Sequence, residues 1–414
     1  MRRRVAIVGG GAAGLAAAIS ASRAGAEVLL LEKNEKLGKK IYITGKGRCN
    51  VTNACPREEF FENVVRNPKF LYSSFSAFDN AALMELLESS GCPLKTERGM
   101  RVFPASDKAS DVTRALVKNC SEVSIRLNTE VLGIEREKQG FRILMKDGEW
   151  NADAVILATG GASYPATGST GDGYRFAKAL GHTVTPLRPA LVGIRLNEST
   201  KELAGLTLKN VRVSASLENG KTVSEFGEML FTHIGVSGPA VLTLSSRINR
   251  EKLAGAELVI DCKPALSEEE LDRRLLREFS AGANRQFKTV LGTLLPKSLI
   301  PRFIEKCGVE GEREANAIRQ EERRAILRAL KGMRFPVRGL CGIAGGIVTS
   351  GGAEVSEIDP RRMESRLVPG LYFAGELLDA DALTGGFNLQ IAFSTGWLAG
   401  RSAAAGKVSS AGKK

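Results

Sequence analysis

Histidine is scarce in this chain, and its cysteines form no motif. The 414 residues include only two histidines, His182 and His233, and seven cysteines with no Cys-x-x-Cys pair. A histidine metal centre is therefore nearly excluded. The odd number and scattered positions of the cysteines also argue against a disulfide framework or a thiolate metal site. We expect no bound metal, and this cysteine usage fits the reducing cytoplasm.

Long apolar runs and the common hydrolase motifs are also missing. No stretch is apolar enough over a sufficient length to span a bilayer, so we expect no membrane association. Arg2–Arg4 and the alanines that follow resemble a secretory signal, but the glycines at positions 9–14 interrupt its apolar core, and we predict no signal peptide. Neither a Gly-x-Ser-x-Gly nor a His-Glu-x-x-His motif occurs, so no hydrolytic constellation stands out.

The charge and the length suggest a soluble globular chain of two or three domains. Hydrophobic residues make up 43% and charged residues 25% of the sequence, as in ordinary globular proteins. A formal net charge of +13 admits nucleic acid as a partner. However, the basic residues are spread along the chain and alternate with acids, as between Glu312 and Arg328. This pattern favours a solvated surface and makes nucleic acid an unlikely partner.

The stretch Arg4–Glu32 carries the clearest functional motif of the sequence. A short β-branched strand, a Gly-x-Gly-x-x-Gly turn, an alanine-rich helix, a second strand and a terminal acid follow one another at the spacing of a dinucleotide site. The pyrophosphate would lie on the N–H groups at the start of the helix, and Glu32 would accept hydrogen bonds from ribose. The residues predicted to bind cofactor here are Gly9, Gly11, Ala12, Ala13, Gly14 and Glu32.

A second glycine-rich loop, from Gly45 to Asn53, follows the first motif closely. It has no strand–helix context of its own, so one interpretation is an ordinary surface turn. The other is a loop that folds over the nucleotide, where Lys40, Arg48 and backbone N–H groups offset phosphate charge. We favour the second and include Gly45, Arg48 and Asn50 among the candidate cofactor contacts.

Two later segments point to the same ligand. A predicted strand ends at Ala158-Thr159-Gly160-Gly161, and ligands bind at that edge of open α/β sheets. Near the C-terminus, a strand leads to Gly375-Glu376, and a helix opens at Gly385–Gln390 and runs to about Arg401, before a tail from Ala403 that we expect to be disordered. Glu376 could hold ribityl hydroxyls, and the helix end could stabilise negative charge on a reduced flavin, so FAD is the favoured dinucleotide.

These motifs together resemble the HI0933-like family of NAD(P)/FAD-dependent oxidoreductases, which includes BaiN and the aminoacetone oxidases. The resemblance is carried by the segments already quoted and by Thr232–Ala240, and it covers the chain almost end to end. It implies an α/β fold with a Rossmann-type FAD-binding domain that is split in sequence. A β-rich domain would be inserted in it and would itself carry a helical subdomain. The expected boundaries are 1–190 with 345–414, 191–264 with 333–344 (barrel-like), and 265–332 (helical).

The resemblance also implies roles for individual residues. Ala13, Glu32, Lys33 and Lys40 would contact the ADP half, and the backbone of Val131 would contact adenine. In this resemblance, the flavin side would be held by Glu376, Asp379, Asn388 and Leu389. From the motifs themselves we add Gly375, Gly386 and Phe387 beside them, and Thr159 and Gly160 at the sheet edge.

We therefore predict a cytoplasmic FAD-dependent oxidoreductase that acts on a small-molecule substrate. No second Gly-x-Gly-x-x-Gly occurs, so NAD(P)H, if it is the donor, would dock transiently. His233 is the most tempting catalytic residue, but a lone histidine is more often structural, and we name no catalytic residue. Two alternatives stay open: a flavoprotein that modifies RNA, suggested by the charge, and a non-catalytic flavin- or nucleotide-binding sensor.

Overall fold

The computed structural model describes residues 2–406. The part of the predicted disordered tail beyond residue 406 lies outside the described residues, while Ala403–Ala405 belong to the last helix and correct that prediction. The chain forms two compact units, one made of the residues up to Pro189 and from Ile343 onward, and one made of Ala190–Gly342. The domain boundaries expected from the sequence stay predictions.

The helices and strands are numbered along the chain. Within residues 2–406 the α-helices are α1 (Ala12–Arg23), α2 (Arg57–Glu62), α3 (Tyr72–Ala77), α4 (Asn80–Ser89), α5 (Ala109–Lys118), α6 (Asp172–Ala179), α7 (Pro239–Ile248), α8 (Glu268–Ala281), α9 (Phe287–Val290), α10 (Ile300–Cys307), α11 (Gln320–Lys331) and α12 (Phe387–Ala405). The strands are β1 (Arg4–Val8), β2 (Glu27–Leu31), β3 (Thr52–Asn53), β4 (Leu94–Glu97), β5 (Arg101–Pro104), β6 (Ser124–Arg126), β7 (Val131–Arg136), β8 (Phe141–Met145), β9 (Gly148–Ala152), β10 (Ala154–Leu157), β11 (Arg188–Ala190), β12 (Ile194–Leu196), β13 (Thr207–Ser216), β14 (Thr222–Thr232), β15 (Gly235–Ser237), β16 (Glu257–Asp261), β17 (Met333–Leu340), β18 (Val348–Ser350), β19 (Ile358–Asp359), β20 (Glu364–Ser365) and β21 (Leu371–Phe373).

The first unit is built around a seven-stranded sheet in the order β19-β20-β21-β10-β1-β2-β6. The five strands from β21 to the edge strand β6 are parallel, because β1 pairs in parallel with β2 and β10, β2 with β6, and β10 with β21. The inner strands β1 and β10 are covered on both faces, which explains their continuous apolar runs, Val5–Val8 and Ala154–Leu157. The carboxyl ends of β1, β10 and β21 therefore lie at one edge, where a doubly wound sheet binds its ligand.

Helices α1 and α12 cross in close contact within this unit. A Cβ at Gly396 would collide with the carbonyl oxygen of Ala13, and one at Gly400 would collide with that of Ala17. Glycine at both positions therefore lets the two backbones touch. This contact holds helices from opposite ends of the chain against each other, so that each contributes its own N-terminus to the same unit.

The second unit contains a closed antiparallel barrel, with strand order β12-β15-β14-β13-β16-β17. Alternate residues of β13 and β17 face its core, in keeping with the period of two of a half-buried strand. Helices α8–α11 follow β16 and precede β17. Helix α8 begins after Ser267, where Ser267 and Glu270 form a reciprocal capping box.

The predicted fold class is confirmed, with two differences in detail. The segment 191–260 was expected to be strands, yet it contains the helix α7, whose start Pro239 occupies the first turn where proline is tolerated. The helical segment after Ser267 is broken into four helices by short 3₁₀ turns. No helix among residues 2–406 combines the length and the apolar character needed to cross a membrane.

Candidate functional site

The turn between β1 and α1 has the geometry of a phosphate-binding site. Gly9 adopts a φ of 106°, and a Cβ at Gly14 would overlap the carbonyl oxygen of Gly9, so helix and strand pack closely only with glycine there. A Cβ built on Gly11 meets nothing within 4 Å, which leaves open space over the turn. Helix α1 begins after Gly11 without a side-chain cap, so the backbone N–H groups of Ala12 and Ala13 can receive an anion.

Glu32 ends β2 beside this turn. Its side chain is 8% exposed, and Oε2 accepts the N–H of Gly10 at 2.8 Å. The other oxygen, Oε1, accepts the backbone N–H of Asn34 at 2.8 Å and its side-chain Nδ2 at 2.6 Å. Since a carboxylate offers about four acceptor sites, three of which are used, Glu32 is fixed in place and can accept one further hydroxyl.

Lys40 and Glu376 form an ion pair at the sheet edge, although 336 residues separate them. The Lys40 ammonium lies 2.6 Å from Glu376 Oε2 and 2.7 Å from the hydroxyl of Ser163. Glu376 Oε1 accepts the Ser163 hydroxyl at 3.0 Å and the N–H of Thr349 at 2.9 Å. Glu376 is thus held from several sides at the end of β21. No sequence motif predicted Ser163 or Thr349 as site residues. Their position in glycine-rich segments is the only feature of the sequence that could have indicated them.

The N-terminus of α12 lies against the loop that begins at Gly45. Gly386 has a φ of 100°, and a Cβ there would overlap the backbone of Thr52, in the segment that continues that loop. Asn53 Nδ2 donates to the carbonyl of Gly385 at 3.1 Å. The structure therefore brings the second glycine-rich loop to the start of α12. This helix also begins without a side-chain cap, which leaves the N–H groups of its first turn directed at the same region.

Several candidate contacts already have protein partners. Lys33 pairs with Asp172 at 2.6 Å; burial raises the pKa of Asp172, but hydrogen bonds from Lys33 and Thr170 outweigh it and lower that pKa. Asp379 is fully buried and pairs with the guanidinium of Arg66 at 3.0 Å.

The side chains of two further candidates, Arg48 and Asn388, are also engaged by protein groups. Arg48 is paired with Glu97 and Asp107 and stacks on Phe103, so its charge is compensated within the protein. The side chain of Asn388 spans the loop before α12, accepting from Ala382 N at 2.9 Å and donating to its carbonyl at 2.7 Å. Asn388 can then meet a ligand only through its backbone N–H. The assignment of these two residues to the cofactor site stays a prediction.

The remaining candidates are distributed as follows. Val131 starts β7 and is 5% exposed; two residues earlier the N–H of Thr129 donates to the carbonyl of Glu32, so this strand begins next to the end of β2. Thr159 and Gly160 follow β10 at the sheet edge. His233 is exposed in the turn between β14 and β15, in the second unit.

Comparison with known proteins establishes the family. The model of the HI0933-like protein Rossmann domain matches residues 3–402. The chain belongs to the HI0933-like family. It is 32% identical to the 3-dehydro-bile acid delta(4,6)-reductase of Clostridium scindens, over 97% of this chain and 99% of that protein. It is also 32% identical to the ribosomal RNA dihydrouridine synthase of Escherichia coli, over 97% and 98% of the two chains.

Solved structures agree on the fold. The 3-ketosteroid-delta4-(5alpha)-dehydrogenase of Rhodococcus jostii aligns with a TM-score of 0.51 at 15% identity, covering 98% of this chain and 100% of that one. As a member of the HI0933-like family with a reductase as a full-length relative, this protein is an FAD-dependent oxidoreductase, as predicted, and the non-catalytic alternative is set aside.

The residues present fit FAD. Two uncapped helix starts, at Gly11 and Gly386, and the open space over Gly11 suit a long ligand with an anionic centre. Among the described residues, Asn50 Oδ1 and Thr159 Oγ1 are buried polar atoms with no hydrogen-bond partner in the protein. Since buried polar atoms are almost always paired, both are suited to contact a bound polar ligand.

Proposed function

We propose that this HI0933-like protein reduces a carbon–carbon double bond conjugated to a carbonyl, using FAD. The observation that carries the proposal is shared chemistry in two full-length relatives. One is named as a delta(4,6)-reductase of a 3-dehydro steroid acid and the other as a dihydrouridine synthase. Both names describe saturation of an alkene activated by a neighbouring carbonyl, although the two substrates differ greatly in size and polarity.

Each half of FAD has a proposed binding region in the first unit. The N–H groups of Ala12 and Ala13 would bind the pyrophosphate, and Glu32 would bind the adenosine ribose. Glu376, oriented by Lys40, would accept ribityl hydroxyls. The first-turn N–H groups of α12, at Phe387–Leu389, would stabilise negative charge on the flavin pyrimidine ring. When bound, FAD supplies hydride chemistry, and the protein positions the substrate and tunes the ring.

The proposed reaction adds one hydride and one proton across the double bond. The hydride goes to the carbon β to the carbonyl, and a proton from a protein group or solvent goes to the α carbon. NAD(P)H is the proposed source of the hydride, because a two-electron donor is required. It would dock transiently, since the sequence contains no second Gly-x-Gly-x-x-Gly motif.

A small enone is the first proposed substrate, and uracil within RNA is the second. The small-molecule candidate is supported by the Clostridium scindens relative. The RNA candidate is supported by the dihydrouridine synthases, of which the Haemophilus influenzae protein is 31% identical over 94% of this chain. The net charge of +13 supports it too, since polyanions bind basic proteins.

Anaerobic flavin spectroscopy tests the proposal. Purified protein loaded with FAD is titrated with NADH or NADPH, and bleaching of the flavin band identifies the donor. Addition of a 3-keto-4-ene steroid or of uridine-containing RNA should then restore the band, with the saturated product detected by mass spectrometry. If neither an activated alkene nor RNA reoxidises the flavin while simple amines or alcohols reduce it, the protein is an oxidase or dehydrogenase of another class.

A further inference from the structure

The first unit carries an open cleft at the C-terminal end of α12, away from the proposed flavin site. It has a volume of about 480 Å³ and is lined by Arg57, Tyr72, Ser73, Ser76, Ala77 and Arg401. Two guanidinium groups and three hydroxyls thus face one concave surface, and no acidic residue lines it. Donors without acceptor carboxylates are the composition expected of an anion site.

Neither arginine of the cleft is neutralised by the protein. Within residues 2–406, no carboxylate forms an ion pair with Arg57 or Arg401, whereas Arg48, Arg66 and many other arginines of this chain are paired. Arg57 donates to the Ser76 hydroxyl at 2.8 Å, which holds it in place and uses only one of its five N–H donors.

Aromatic rings extend this positive surface. The Arg57 guanidinium lies over the rings of Phe61 and Tyr72, with its central carbon 5.6 and 5.7 Å from the ring centroids. Tyr72 is 43% exposed, so part of its ring is available to a ligand. Arg23 lies over Trp397, one helical turn before Arg401, at 5.6 Å. Arginines interleaved with aromatic rings are typical of surfaces that bind single-stranded nucleic acid.

The position of the cleft argues for a polymer. Arg401 lies fourteen residues beyond the start of α12, or about 21 Å along the helix axis. A strand with nucleotides spaced by roughly 3.4 Å would cover the distance with about six of them.

We propose that this cleft binds a backbone phosphate of an RNA substrate whose uracil is reduced at the flavin. The proposal rests on the RNA candidate of the proposed function. Arg57 and Arg401 would contact the phosphate oxygens, the hydroxyl of Ser73 would add a hydrogen bond, and the Tyr72 ring would stack on a neighbouring base. The Ser76 hydroxyl already donates to the Tyr72 carbonyl at 2.8 Å, so its part is to hold Arg57 in place. The cleft would therefore select polymeric over free substrates without touching the reacting atoms.

The test compares two double variants of the full-length protein loaded with FAD. Binding of a fluorescent, uridine-containing single-stranded RNA is measured by anisotropy between about 50 and 200 mM salt, the range over which phosphate contacts change affinity most. For Arg57→Gln/Arg401→Gln we expect a Kd about tenfold higher or more. Because both arginines would contact the same phosphate, the salt slope should fall by about 0.7, the contribution of one phosphate contact for single strands.

Arg273→Gln/Arg324→Gln removes the same charge from exposed positions of α8 and α11 and is the matched control. Its RNA affinity should stay within twofold of the parent protein. Equal loss in both double variants, or no loss in either, would overturn the proposal. FAD content and circular dichroism of all variants should match the parent, because the four side chains are exposed.

Two further measurements distinguish a failure of the cleft proposal from a failure of the proposed function. Reduction of a small enone or of free uridine should be unchanged in Arg57→Gln/Arg401→Gln. If the parent protein itself reduces neither compound, the proposed function is refuted, and not the assignment of the cleft. If instead the variant needs more NADPH to reduce its flavin while RNA binding is intact, the cleft holds the phosphate of a free dinucleotide, and the RNA assignment is wrong.

Discussion

Replacing Gly396 with alanine tests the contact between α1 and α12, on which the proposed FAD site depends. In the interior of an unconstrained helix, alanine is more favourable than glycine by about 1 kcal/mol. Here the added methyl would overlap the carbonyl oxygen of Ala13, a backbone atom that cannot move aside as a flexible side chain would. Overpacking of this kind costs about 1–3 kcal/mol. The two effects combine to a net destabilisation of up to about 2 kcal/mol, whereas a glycine with free space around it would gain stability on replacement by alanine.

Tryptophan fluorescence during urea unfolding measures this effect on the correct unit. The only two tryptophans, Trp150 and Trp397, both belong to the first unit, and Trp397 lies on α12 stacked against Phe78. The flavin dissociation constant, measured by quenching of flavin fluorescence, should rise as well, because the start of α12 would shift relative to α1.

Gly292→Ala, in the second unit, is the control, and its unfolding is followed by circular dichroism, which reports on both units. A Cβ at Gly292 meets nothing within 4 Å, so alanine there should leave stability unchanged or raise it by up to about 1 kcal/mol. A Gly396→Ala protein that is as stable as the parent and binds FAD equally well would refute the close packing of the two helices.

Two other predictions follow from charged groups of the first unit. Lys40→Met should raise the FAD dissociation constant about tenfold, or about 1.4 kcal/mol, because Glu376 loses the ammonium at 2.6 Å that orients it. Lys39→Met, which removes a surface pair with Glu35 and a 3.4 Å hydrogen bond to the Asn34 side chain, should change this constant far less. Burial lowers the pKa of His182 from its ordinary 6.5, despite its hydrogen bond to Glu357. The unfolded chain therefore binds a proton that the folded chain does not, so His182 favours unfolding as the pH falls below 6.5 and toward its lower folded pKa. Urea midpoints measured from about pH 7.5 down to about pH 5.5 should fall less in His182→Gln than in the parent, and equal slopes would contradict the assignment.

Local patterns in the sequence were sufficient to predict the helix and strands around the first motif. The strand, turn, helix and strand between Arg4 and Glu32 interact mainly with one another, as in the hydrogen bond between Gly10 and Glu32. Their geometry depends on residue types at short spacing, such as glycine where helix and strand touch, so it could be predicted without knowing the rest of the chain. The start of α12 after Gly386 and the capping box at Ser267 were predictable for the same reason.

Longer-range relations could not be predicted in this way. Whether a polar side chain faces a ligand or another residue depends on which distant segment lies beside it. Arg48 was expected near phosphate, but folding places Glu97 and Asp107 against it. Likewise α7 lies within a segment of strand-like composition, because barrel packing outweighs weak local propensity.

The sequence by itself determined the nucleotide-binding turn, the acid at the end of β2 and the family. Only the tertiary structure decided that Lys40 holds Glu376, that Gly396 and Gly400 seat α12 against α1, and that Arg57 and Arg401 share one cleft. The physical reason is the distance along the chain. Turns and caps form between residues a few positions apart, whereas ion pairs, helix crossings and clefts join residues hundreds of positions apart that only the packed core brings together.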